Sequence, residues 1–142
     1  MIKILLVDDQ AAARMGLKLR LGLETDLEVL GEAVDGEDAV AQATRLVPDV
    51  VVMDVAMPNM DGIDATRVIC ASCDCKVVML SLYDDSETRQ RASDAGACAF
   101  VTKQESDVVL LMAVRRAGEQ ASRRAAGHEG ELYGRIAMRP VL

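Results

Sequence analysis

The sequence predicts an α/β fold, a doubly wound five-stranded parallel sheet with helices on both faces. Three observations predict it. Short apolar runs alternate five times with segments of helical periodicity. The connections between them are short. The first run, IKILLV, is apolar at nearly every position, the pattern of a strand covered on both faces.

Each element follows in order. Residues 2–7 form the first strand, closed by Asp8 and Asp9. From Ala11 to Gly22, Ala13, Leu17 and Leu21, with Met15 and Leu19 nearby, repeat at helical spacing among good helix formers. Leu27 to Ala33 (LEVLGEA) is the second strand; Asp35 and Gly36 turn the chain into a helix over 37–47, which stops before Pro48. Residues 49–55 contain VVVM, the most strand-like run, ending at Asp54. The segment MPNMDG (57–62) is a loop, and Asp61 is placed to cap a helix over 63–71. Lys76 to Ser81 (KVVMLS) is the fourth strand, Ser86 to Ala95 a helix ended at Gly96, and 98–101 the fifth strand. A last helix runs from Glu105 to about Gln120, its apolar face carrying Val108, Leu111, Met112 and Val114. The domain is therefore expected over 1–120, with 121–142, which contains Gly127, Gly130, Gly134 and Pro140, as a C-terminal helix extension or linker remnant.

Composition narrows the class. A chain of 142 residues, 51% hydrophobic and 27% charged, matches one soluble domain able to bury its own core. No apolar run approaches the roughly eighteen residues of a membrane span, and the two aspartates after Val7 leave no signal-peptide apolar region, so a cytoplasmic address is expected. Cys70, Cys73, Cys75 and Cys98 are crowded for a disulfide framework and lack a second well-spaced ligand pair, with the only histidine far away at 128. They read as reduced thiols, structural or incidental, the buried small hydrophobes of a core. The net charge of −7 is uneven: residues 1–112 hold 10 Lys and Arg against 20 Asp and Glu, and residues 113–142 hold 6 against 3. So acidic a body argues against a nucleic-acid surface, and Arg115, Arg116, Arg123 and Arg124 read as a solvated helix face.

The chemistry concentrates at one edge. In an open parallel sheet the strand C-terminal ends lie together, and ligands bind where the strand order reverses. Asp8 and Asp9 leave the first strand, Asp54 the third and Ser81 the fourth, while Lys103 follows the fifth. Three converging carboxylates repel unless a cation neutralises them, and a few hard oxygen ligands open to water suit Mg²⁺ or Mn²⁺ better than zinc. Lys103 and Ser81 can hold phosphoryl oxygens, and Asp54 is the natural nucleophile of an aspartyl-phosphate chemistry. Acidic residues at strand ends are common in polar loops, and a single Asp-Asp pair proves little; five suitable side chains at four strand ends of one edge carry the inference.

The segments LLVDDQ, with Arg14, Gly16 and Leu17, then DVAMPNMDG, VVMLS and FVTK in that order, resemble a response-regulator receiver domain of the LuxR/NarL-type branch, over about Ile2 to Gln120. The resemblance implies a flavodoxin-like receiver fold and a two-component phosphoacceptor: Asp54 is phosphorylated by a sensor histidine kinase or phosphotransfer protein, Asp9 and Asp54 ligate Mg²⁺, Asp8 supports the metal partly through water, and the Ala56 backbone carbonyl adds a ligand. Ser81 and Lys103 would contact the phosphoryl oxygens, and Phe100 would be the rotating aromatic of an output surface; without that likeness Phe100 reads as an ordinary core ring. Such a module turns over no external substrate and catalyses only its own phosphoryl transfer and dephosphorylation. Homodimerisation is a further expectation, with neither direct nucleic-acid binding by this chain nor membrane contact.

Two features depart from the family pattern. Leu82 is bulkier than the small residue usual after Ser81, which predicts slow self-dephosphorylation. A LuxR-type regulator also continues into a helix-turn-helix DNA-binding domain that this sequence lacks, and GELYGRIAMRPVL resembles the linker before one, as in a truncated or naturally shortened regulator. Two other functions compete. A phosphorylation-independent interaction or decoy domain would not need the full acidic, Ser and Lys set. A phosphohydrolase or phosphotransferase would use a second acid two residues after its nucleophile, where this chain has Ala56.

Overall fold

A computed structural model describes the backbone of residues 1–138 and the side chains of residues 1–122. Strands and helices alternate: β1 (Ile2–Val7), α1 (Ala11–Gly22), β2 (Leu27–Ala33), α2 (Gly36–Leu46), β3 (Val50–Asp54), α3 (Gly62–Ser72), β4 (Lys76–Ser81), α4 (Ser86–Ala95), β5 (Ala99–Thr102) and α5 (Asp107–Met138). All the strands pair in parallel, in the order β2-β1-β3-β4-β5. The order reverses at β1, so the crevice between the ends of β1 and β3 is the switch point of the sheet.

Alternation of side chains along each strand feeds two cores. Leu5, Val7, Val51, Met53, Val77 and Met79 pack with Ala39, Ala43, Ile63, Ile69, Ala92 and Ala95 from α2, α3 and α4. On the opposite face Ile4, Leu6, Val50, Val52, Val78 and Leu80 pack with Leu21 of α1 and with Leu110, Leu111 and Val114 of α5. Strand β3 is buried at every position, Asp54 included. Full burial of each Val, Leu or Ile side chain contributes about 1.5–3 kcal/mol, so the sheet is a stiff frame for whatever its edge carries.

Local signals set most helix ends. The Asp61 carboxylate accepts from the Asp64 amide at 2.9 Å, the expected cap, and Asp35 and Asp85 cap α2 and α4 in the same way. Gly96 closes α4 in the left-handed region at φ +110°, where a Cβ would be strained. β5 lies one residue later than expected, because Thr102 continues the ladder opposite Ser81 despite its polar side chain. The apolar face assigned to α5 needs correction as well. Its buried stripe is Leu110, Leu111, Val114, Ala117 and Ala121, whereas Val108 and Met112 lie on the outer arc, 60% and 58% exposed. Met15 and Leu19 are likewise on the outer face of α1.

The helix α5 continues past the expected end near Gln120 to Met138. The side chains of Arg123, Arg124 and His128, and the whole of Pro140, lie outside the described residues. Arg115 is no freely solvated cation: its guanidinium pairs with Glu24 and Asp26. No helix is long and apolar enough to cross a membrane among the described residues.

Candidate functional site

Strand register assembles the site. Val7 lies opposite Met53, which makes the next residues, Asp8 and Asp54, neighbours. Asp54 lies opposite Leu80, with Ser81 one step on, and Ser81 lies opposite Thr102, with Lys103 one step on. The loop from β3 to α3 is held close to this edge. A Cβ at Gly62 would fall 2.0 Å from the Asp54 carbonyl oxygen, so only glycine lets α3 start hard against the end of β3, where the Gly62 amide donates to the Val55 carbonyl at 2.9 Å. Asn59 takes the left-handed conformation, φ +66°, that Asn tolerates better than most residues.

Asp8, Asp9 and Asp54 each offer a carboxylate oxygen, and these oxygens lie within 4.8 Å of one another. Asp8 and Asp54 are buried, 1% and 6% exposed, while Asp9 is open to solvent. Asp8 is held from several sides: its carboxylate accepts from the Gln10 amide at 2.9 Å, and Arg14 donates to its carbonyl at 2.7 Å. Lys103 Nζ reaches Asp8 Oδ2 at 3.1 Å and Asp54 Oδ1 at 3.2 Å.

One ammonium thus reaches two of the three clustered carboxylates, and Asp9 stands outside its contacts. Burial pushes the Asp54 carboxyl above its ordinary value; Lys103 opposes this, and the charges of Asp8 and Asp9 reinforce it. Burial pulls the Lys103 ammonium down, but its bond to Asp8 and the charge of Asp54 outweigh that, and its pKa is raised. The surplus of negative charge, the all-oxygen donors and the exposed flank at Asp9 fit a hard divalent cation such as Mg²⁺ or Mn²⁺ that keeps some of its water.

The remaining expected residues sit around this hollow. The Ser81 hydroxyl is buried and turned to the loop after β4, donating to the Tyr83 carbonyl at 2.9 Å and accepting from the Tyr83 amide at 3.2 Å. The Lys103 amide donates to the Ser81 carbonyl at 2.7 Å, coupling the ends of β4 and β5. Ala56 lies exposed in the turn just after β3. Phe100 is half-buried on β5, against the core beneath α4.

Sequence reasoning missed three participants. Arg89 of α4 lies over the Phe100 ring, its guanidinium carbon 4.7 Å from the centroid. The Thr102 hydroxyl donates to Glu105 at 3.2 Å beside Lys103. Gly62 meets the Asp54 backbone. Only Gly62 had a legible signal, the DG pair opening α3; the others depend on contacts between elements.

Among the described residues the three aspartates are the only group of three or more potential metal-ligating side chains. None of the four cysteines is in a disulfide. Cys75 is buried, its thiol pushed up to about 12 by burial, whereas Cys98 is exposed and does not fit the buried reading.

Comparison with known proteins agrees with this geometry. The family model of the response regulator receiver domain matches residues 4–115. The transcriptional regulatory protein LiaR of Bacillus subtilis (strain 168) is 36% identical over 137 residues, which cover 96% of this chain and 65% of LiaR. The signal receiver domain of the putative response regulator NarL from Mycobacterium tuberculosis superposes with a TM-score of 0.80 at 27% identity, covering 83% of this chain and 96% of that one. A two-component response regulator of the LuxR family from Aurantimonas sp. SI85-9A1 gives 0.80 at 28% identity, covering 84% and 86%. The chain spans less than two thirds of the length of the curated relatives it matches first.

Proposed function

The chain belongs to the response regulator receiver domain family, and on that premise we propose that Asp54 is its phosphoacceptor, supplied by a sensor histidine kinase or a phosphotransfer protein. The observation that carries this reading is the cluster of three carboxylates within 4.8 Å at the switch point of the sheet, two of them paired with Lys103.

In the transfer, an Asp54 carboxylate oxygen forms a bond to phosphorus as the P–N bond of the donor phosphohistidine breaks and the leaving nitrogen keeps the electron pair. Asp8, Asp9, Asp54 and the Ala56 carbonyl would hold Mg²⁺ or Mn²⁺, which when bound supplies positive charge against the phosphoryl oxygens. Lys103 is already 3.2 Å from Asp54 Oδ1 and exchanges part of that contact for a phosphoryl oxygen. Ser81 rotates off Tyr83 to donate to another. Its departure loosens the loop after β4 and gives the Phe100 ring room to turn, which reshapes the surface formed by α4, β5 and α5. Output is then binding, with no external substrate turned over.

Residues 1–120 form the receiver unit in this reading, with 121–142 as a helical extension or linker, and phosphorylation favours a homodimer. Control of transcription belongs to the longer relatives by name; here it is proposed as the downstream purpose of the switch, in the cytoplasm. Incubation with acetyl phosphate and Mg²⁺, followed by intact mass, tests the reading. Wild type should gain the mass of one phosphate and Asp54→Asn none; equal gain in both, or gain in neither, would overturn it.

A further inference from the structure

We propose that Arg89 is a latch on Phe100, set by the loop that carries the Ser81 signal. The trigger rests on the phosphoacceptor reading of Asp54; the resting latch does not. Arg89 holds two contacts at once. Its guanidinium lies over the Phe100 ring, and its Nε donates to the Asp84 carboxylate. Asp84 belongs to the four-residue stretch 82–85 between β4 and α4, and Tyr83, immediately before it, is the residue that closes on the Ser81 hydroxyl in both directions. Asp85, immediately after it, caps α4 through the Thr88 amide at 2.9 Å. The path from site to switch therefore has few links: Ser81 hydroxyl, Tyr83 backbone, Asp84 carboxylate, Arg89 guanidinium, Phe100 ring.

The ring has somewhere to go. Phe100 lines two grooves, one of about 470 Å³ toward α4 and one of about 290 Å³ toward α5. With Arg89 over its face it is held on the α4 side. When Ser81 leaves Tyr83 for a phosphoryl oxygen, the 81–83 turn opens, Asp84 is carried off Arg89, and the guanidinium loses the partner that orients it. A lysine could not replace it, because stacking on the ring while donating sideways needs the flat fork of a guanidinium. Both contacts are partly solvated, with Arg89 and Asp84 side chains 43% and 54% exposed. Each is individually weak. The latch biases an equilibrium between ring positions by about three- to tenfold rather than locking one of them.

Phe100 is the only phenylalanine in the chain, so 4-fluorophenylalanine labels it alone. Fluorine NMR spectra of wild type, Asp84→Asn, Arg89→Gln and the double variant would be compared during titration with beryllofluoride and Mg²⁺, a phosphoryl mimic. Asp84→Asn keeps the Arg89 side chain but removes the carboxylate charge that orients it, and the fluorine resonance of this variant without the mimic should already lie toward the mimic-bound wild-type position. Half-conversion should need about three- to tenfold less beryllofluoride in either single variant, and no less again in the double variant. An Asp84→Asn protein matching wild type in both resonance and midpoint would overturn the latch. Failure of the phosphoacceptor reading looks different: the wild-type resonance itself would not respond to beryllofluoride. A failed latch leaves that response intact.

Discussion

Carboxylates gather at both ends of this sheet, and they are treated in opposite ways. At the N-terminal end of the strands, exposed Asp26 and half-buried Glu24 share Arg115, whose nitrogens reach them at 2.8, 2.9 and 3.0 Å. The bond to Arg115 is the main reason both carboxyls sit below their ordinary values. At the C-terminal end, one lysine reaches two of three clustered aspartates, those two are buried, and burial drives Asp54 upward. With Arg20 also paired to Glu24, the charge at the first end is balanced, and it tethers α5 to the turn before β2. Charge at the second end is only partly compensated by Lys103, the fully buried β3 holds Asp54 in place, and the result is a hollow whose surplus negative charge suits a cation.

The contrast can be broken most severely at Gly62. Gly62→Ala puts a methyl group into the Asp54 carbonyl, and backbone offers no cheap relief, so a loss of about 3 kcal/mol is expected by chemical denaturation. Wild-type stability in that variant would mean that α3 does not start where the register places it. Leu82, 53% exposed beside Ser81, tests shielding of the charged end. Leu82→Ala should shorten the lifetime of the aspartyl phosphate by roughly threefold as water gains access, and an equal or longer lifetime removes the idea.

Asp54→Asn sharpens the electrostatic half of the comparison. A carboxyl whose folded pKa is raised contributes stability only when protonated, below its unfolded value, and loses it as pH rises through the folded value. At neutral pH the amide should therefore be more stable than wild type by about 1 kcal/mol. The gap should close on acidification and narrow with added Mg²⁺, the cation proposed for the wild-type site. A less stable amide at neutral pH would refute the claim of surplus charge. The smallest effect is expected from Arg115→Ala. Glu24 and Asp26 have lowered pKa values, so their contribution is present above their ordinary values and disappears as pH falls through the folded ones. The variant should melt slightly below wild type at neutral pH and together with it in acid or high salt.

Local chemistry made much of this legible in the sequence. Asp61 capping α3, Gly96 ending α4 and Pro48 ending α2 are decided within a few residues, and Asp8, Asp9, Asp54, Ser81 and Lys103 could be placed together once five alternating units implied a parallel sheet. Contacts between elements were not legible. Which arc of α5 is buried depends on how the helix rests on β3 and β4, so Val108 and Met112 were misplaced and Leu110 was overlooked. Arg115 read as solvated because its partners lie some ninety residues earlier, and the reach of Arg89 to Phe100 depends on the spacing of α4 and β5.

The central claim is that the hollow bounded by Asp8, Asp9 and Asp54 takes a divalent cation. Crystals soaked in Mn²⁺ and measured for anomalous scattering address it directly. A single strong peak within bonding distance of these carboxylates is the predicted result; no peak there at saturating Mn²⁺, or one only elsewhere on the molecule, would contradict it.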